Sequence, residues 1–85
     1  MASYAYLKHL PVDYVKIDGM FVRDLDKNEE SLKIFRSMVQ LIHSLDKKVV
    51  AEFVSNKTIF DLVAKAEVDF VQGFYIAKPI HLNKV

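Results

Sequence analysis

Lys16, Asp18, Glu52 and Gln72 fall at the ends of three short apolar runs: Tyr14-Val15-Lys16-Ile17-Asp18, Val49-Val50-Ala51-Glu52-Phe53 and Phe70-Val71-Gln72-Gly73. An ammonium, two carboxylates and an amide could orient a water, take its proton and hold a substrate by hydrogen bonds. Glu52 follows three apolar residues, and a lone carboxylate there is costly to bury without a metal, a cation or a proton. General base or metal ligand is the chemical reading; a structural pair with Lys16 is the plain one. Lys16 could neutralise charge developing on a phosphate or, if desolvated, form a Schiff base. It could equally reach to the rim or pair with Asp18. Gln72 beside Gly73 places an amide where the backbone permits close approach, which suits substrate binding or loop bracing.

Between these runs lie helical patterns. The spacing predicts strands near 14–17, 49–53 and 70–72, and helices near 3–10, 29–45 and 57–67. Leu32, Phe35, Met38, Val39, Ile42 and Leu45 form one apolar stripe, with Asn28 as cap and Glu29 and Glu30 suited to the positive helix end. Ile59, Leu62, Val63 and Ala66 make the stripe of the shorter helix, which Asn56 can cap. Lys78-Pro79 reads as the close of the ordered part, with a tail from His81 to Val85. Strands alternating with helices imply parallel strands joined by crossovers, an α/β arrangement. Parallel strands end on the same side, so the polar residues gather at one mouth, where such sheets bind ligands.

The chain has 85 residues, enough for one small domain or a part of a larger one. Hydrophobic residues make up 52%, which fits strands buried on both faces. Twelve basic and eleven acidic residues leave a net charge of +1, with no basic run to hold a nucleic-acid polymer. The absence of cysteine excludes disulfide and thiolate chemistry. No apolar stretch reaches the roughly 18 residues of a membrane span, so a cytoplasmic chain is the expectation. His9, His43 and His81 share no ligand spacing and read as non-catalytic. Phe35, Phe60 and Phe70 read as core, and Met20-Phe21-Val22 as an apolar loop packing on a neighbouring unit.

The run Tyr6-Leu7-Lys8-His9-Leu10-Pro11-Val12-Asp13-Tyr14-Val15-Lys16-Ile17-Asp18 closely resembles the EAL-domain family of cyclic di-GMP phosphodiesterases. So do Val50-Ala51-Glu52, Asp69-Phe70-Val71-Gln72-Gly73-Phe74 and the following Lys78-Pro79, in the order and spacing of that family's C-terminal third. The resemblance implies part of a TIM-like (β/α) barrel, three parallel strands with crossover helices. It also implies hydrolysis of cyclic di-GMP to linear pGpG with Mg²⁺ or Mn²⁺ in the complete domain. By the same resemblance Lys16 helps position the attacking water, while Glu52 is the base and lies at the metal site. Asp18, Gln72, Gly73 and Pro79 become the substrate-side positions.

Two departures stand out. Where the family often reads Glu-Gly-Val-Glu, this chain has Glu52-Phe53-Val54-Ser55, so a second carboxylate is replaced by Ser55. Phe74 replaces a commoner tyrosine. The family's Glu-Ala-Leu motif, metal-binding asparagine and glutamate, and Asp-Asp pair belong to earlier strands. The expectation is therefore a C-terminal piece of an EAL domain, inactive by itself, whose open sheet edges favour a homo-oligomer or domain swap. The alternative is a degenerate EAL module that binds cyclic di-GMP or a protein without catalysis.

Overall fold

The computed structural model describes residues 13–73 and 76–81. The helix expected near 3–10 lies outside the described residues. Strand β1 (Tyr14–Ile17) is followed by a single 3₁₀ turn (Gly19–Phe21), helix α1 (Glu29–Ser44), strand β2 (Lys48–Ala51), helix α2 (Lys57–Lys65), and strands β3 (Phe70–Gly73) and β4 (Ile76–His81). The sheet order is β1-β2-β3-β4. The first three strands are parallel, with Tyr14 opposite Lys48, Lys16 opposite Val50, and Val50 opposite Phe70.

The caps form as the sequence suggests. Asn28 Oδ1 accepts from the amides of Glu30 (2.9 Å) and Ser31 (3.1 Å), and Asn56 Oδ1 accepts from Ile59 (2.8 Å). The C-termini are less legible. In both helices the chain leaves through a left-handed residue that is not glycine: Asp46 (φ 64°) after α1 and Glu67 (φ 69°) after α2. Lys47 N–H donates to Ile42 C=O and Asp46 N–H to His43 C=O. Val68 and Glu67 make the same pair of bonds to Val63 and Ala64. Each is a Schellman closure, which satisfies last-turn carbonyls and turns the chain into the next strand. It also ends the helices at Ser44 and Lys65 and turns Leu45 outward, 59% exposed rather than part of the stripe.

Side chains alternate across the sheet. Ile17, Val49, Ala51 and Val71 join Phe35, Val39 and Ile42 of α1, and Ile59 and Val63 of α2, in one core. The opposite face carries Val50 and Phe70 packed with Tyr14. Of the three expected core phenylalanines, Phe35 lies in the first cluster, Phe60 packs partly buried against it, and Phe70 belongs to the second. The loop after β1 divides: Val22 enters the core, whereas Met20 and Phe21 are exposed.

Two expectations are corrected. The second strand stops at Ala51 instead of running to Phe53, because Phe53 takes φ 62° and breaks the extended backbone. The chain around Lys78-Pro79 is not the close of the ordered part but strand β4, antiparallel to β3, with Val71 opposite Ile80 and an irregularity between Val71 and Gly73. A proline is tolerated because β4 is the last strand of the sheet, where one row of amides needs no partner. His81 closes that strand rather than opening a tail.

Candidate active site

Register brings the site together. Lys16 sits opposite Val50, and partners in a parallel pair point to the same face, so Glu52, two residues beyond Val50, shares it. The Glu52 amide continues the ladder by donating to Ile17 C=O (3.3 Å). The lysine stem spans the remaining step, and Lys16 Nζ lies 2.8 Å from Glu52 Oε2, the two side chains 28% and 19% exposed. Both remain within reach of solvent at the C-terminal ends of the strands. Such a pair joins a fixed cation to a fixed carboxylate, one able to hold a phosphate or water and the other to accept a proton.

Other candidates occupy different places. Gln72, on β3, follows the alternation of Phe70 onto the face of Lys16 and Glu52, and its carbonyl accepts from Val54 N–H (3.0 Å). Asp18 is spent locally, where its Oδ1 accepts from Met20 N–H (2.9 Å) and caps the 3₁₀ turn. The partner of Lys16 is Glu52, not Asp18. Gly73 is required by packing, since a Cβ there would lie 2.3 Å from Val54 N and 2.6 Å from Val54 O. Pro79 lies on β4, across from β3. Phe53 stands where the family often has glycine, and its φ of 62° is a conformation that glycine adopts without strain.

A divalent cation asks for several oxygen or nitrogen donors converging on one point. Among the described residues no group of three or more His, Asp or Glu side chains comes together. Glu52 contributes one carboxylate, already facing an ammonium. The described residues by themselves do not fit Mg²⁺ or Mn²⁺.

A second charged pair has no counterpart among the residues singled out from the sequence. Asp69 precedes β3 and is 4% exposed. Its Oδ2 lies 2.8 Å from His43 Nε2 and accepts from Val49 N–H at 2.8 Å, while Asp69 N–H donates to Val49 C=O (3.0 Å). The signal was a carboxylate between Val68 and Phe70, a place where burial demands partners. No described helix is long and apolar enough to cross a membrane.

Comparison with known proteins identifies the setting. Residues 1–79 match the EAL domain family. Over 78 residues the chain is 42% identical to the cyclic di-GMP phosphodiesterase PdeB of Shewanella oneidensis and 40% identical to PdeF of Escherichia coli. It covers 92% of its own length in each case, but only 9% and 10% of theirs. Among solved structures, the FimX EAL domain of Pseudomonas aeruginosa bound to c-di-GMP superposes with a TM-score of 0.74 at 32% identity, covering 89% of this chain and 31% of that one. An EAL domain protein of Listeria monocytogenes matches with a TM-score of 0.73 at 36% identity, over 95% and 33%. With the motifs of β1, β2 and β3 in register, and a family match over nearly its whole length, this chain belongs to the EAL domain family as a section of that domain's barrel.

Proposed function

We propose that this chain supplies the water-handling side of a cyclic di-GMP phosphodiesterase site, with the Lys16–Glu52 pair as its centre. The observation that carries the reading is the 2.8 Å contact between an ammonium and a carboxylate at the open ends of parallel strands. In the proposed reaction water attacks a bridging phosphorus, a P–O ester bond breaks, and cyclic di-GMP opens to pGpG. Glu52 takes the proton of the attacking water, and Lys16 holds that water and balances charge on the phosphoryl oxygens. Gln72 and Gly73, with Asp18 and Pro79, line the substrate side. Mg²⁺ or Mn²⁺ is proposed as a requirement of the complete domain, with Glu52 as one contributor. Relatives named as cyclic di-GMP phosphodiesterases, and the FimX domain with c-di-GMP bound, support this substrate class.

The isolated chain is proposed to be inactive and to self-associate through its exposed sheet edges, which light scattering would reveal as a species larger than a monomer. Calorimetric titration of cyclic di-GMP into the chain, with and without Mn²⁺, tests the binding half of the reading. A hydrolysis assay on the complete domain tests the other half. Saturable binding together with linearisation to pGpG is the expected result. Binding without linearisation would make the domain a receptor, a reading that exposed Ser55 in place of the family's second glutamate favours. Absence of binding in both forms would overturn both.

A further inference from the structure

Three non-glycine residues among those described adopt positive φ: Asp46, Phe53 and Glu67. Asp46 and Glu67 are explained by the helix ends they close. Phe53 closes no helix. It lies between Glu52, whose amide donates to Ile17 C=O, and Val54, whose amide donates to Gln72 C=O, so the backbone is pinned on both sides. A bulky residue in this region is a strained choice, and such residues persist where the surroundings impose them, commonly at functional sites.

The strain does not bring the ring into the core: Phe53 is 52% exposed, whereas Val54 beside it is fully buried. The ring rests on Gly19, where an added Cβ would meet Phe53 Cδ2 at 2.1 Å, so the missing side chain provides its seat. β2 is the middle strand of the parallel trio, so this aromatic surface stands beside Glu52 with chain on both sides. Exposed Met20 and Phe21 extend the apolar surface along the turn that starts at Gly19.

We propose that Phe53 is a substrate-positioning residue whose ring stacks on a purine base of the cyclic dinucleotide while a phosphate sits at Lys16 and Glu52. This rests on the function proposed above. Stacking of a base on an aromatic side chain is worth a factor of roughly 5 to 150 in affinity, and it needs a fixed ring more than a buried one. Phe53→Gly separates this role from a structural one, because glycine relieves the backbone and removes the ring.

The test is titration of the chain, wild type and variants, with cyclic di-GMP, alongside thermal melts. Phe53→Gly is expected to weaken binding at least about fivefold while leaving the melting temperature unchanged or higher, and Phe53→Leu to weaken it as well. The sequence has no tryptophan, so Phe53→Trp installs a single reporter. Its fluorescence is expected to quench with cyclic di-GMP and not with inorganic phosphate. Unchanged affinity in Phe53→Gly, or a lower melting temperature without loss of affinity, would overturn the stacking role and leave the proposed function standing. If the wild-type chain takes up no cyclic di-GMP, the functional reading fails first and this proposal falls with it.

Discussion

Lys16–Glu52 and His43–Asp69 are both 2.8 Å contacts between a basic and an acidic side chain, placed at opposite ends of the same parallel strands. The upper pair joins two side chains that both remain partly open to solvent. The lower pair is built around a carboxylate only 6% exposed, which also accepts from the Val49 amide, while its own main chain donates back to Val49. Asp69 thus grips the start of β2 from two directions and ties the end of α1 to the sheet. Removing it would leave a buried amide without its acceptor, whereas removing Glu52 leaves a lysine that can turn to water. Equal distances therefore carry different meanings, and the backbone bonds around each pair tell them apart. In barrels the C-terminal ends of strands carry chemistry and the N-terminal ends carry stability, and these two pairs divide in that way.

The comparison can be broken by mutation. The largest effect is expected at the upper pair: Glu52→Gln should lower the rate of cyclic di-GMP linearisation by the complete domain by about 10²-fold or more. Its unfolding free energy should change by less than about 1 kcal/mol. A retained rate, or a collapse in stability, would place Glu52 with Asp69 as a structural group. Asp69→Ala should do the reverse, costing roughly 3 kcal/mol through a buried hydrogen-bonded charge and an orphaned amide. A urea melt of the chain reads this directly, and the rate per folded molecule should stay near wild type. Gly73→Ala marks the structural share of the mouth itself. Its Cβ would collide with Val54 backbone rather than with a movable side chain, so a loss of about 2 kcal/mol is expected. The smallest effect belongs to His43→Gln, whose amide can still donate to Asp69. About 1 kcal/mol or less should be lost in the same urea melt, and a loss equal to that of Asp69→Ala would mean the histidine, not the Val49 amide, dominates the lower brace.

The β-branched runs, the two asparagine caps and the stripe of Phe35, Val39 and Ile42 were legible because they follow from local periodicity and hydrogen-bonding chemistry. The strand ends bearing Lys16, Glu52 and Gln72 were legible too, since alternating strands and helices make parallel ends coincide. Strand β4 was not, because Pro79 signals a stop unless the strand lies at an edge, and edge position belongs to the whole sheet. The left-handed exits at Asp46 and Glu67 were hidden by the absence of glycine there. Phe53 was hidden as well: in the sequence it extends an apolar strand, and only the bonds from Glu52 to Ile17 and from Val54 to Gln72 force it out of one.

The sequence by itself determined which residues form the strands and helices, which faces are apolar, and that a lysine, a glutamate and a glutamine share one end. These are properties of neighbours along the chain. Tertiary structure decided that Lys16 takes Glu52 and not Asp18, that Asp69 is a brace, and that the Phe53 ring stands over Gly19. Each of those depends on parallel register and strand-end packing, which set distances between residues some 20 to 40 positions apart that no local pattern encodes.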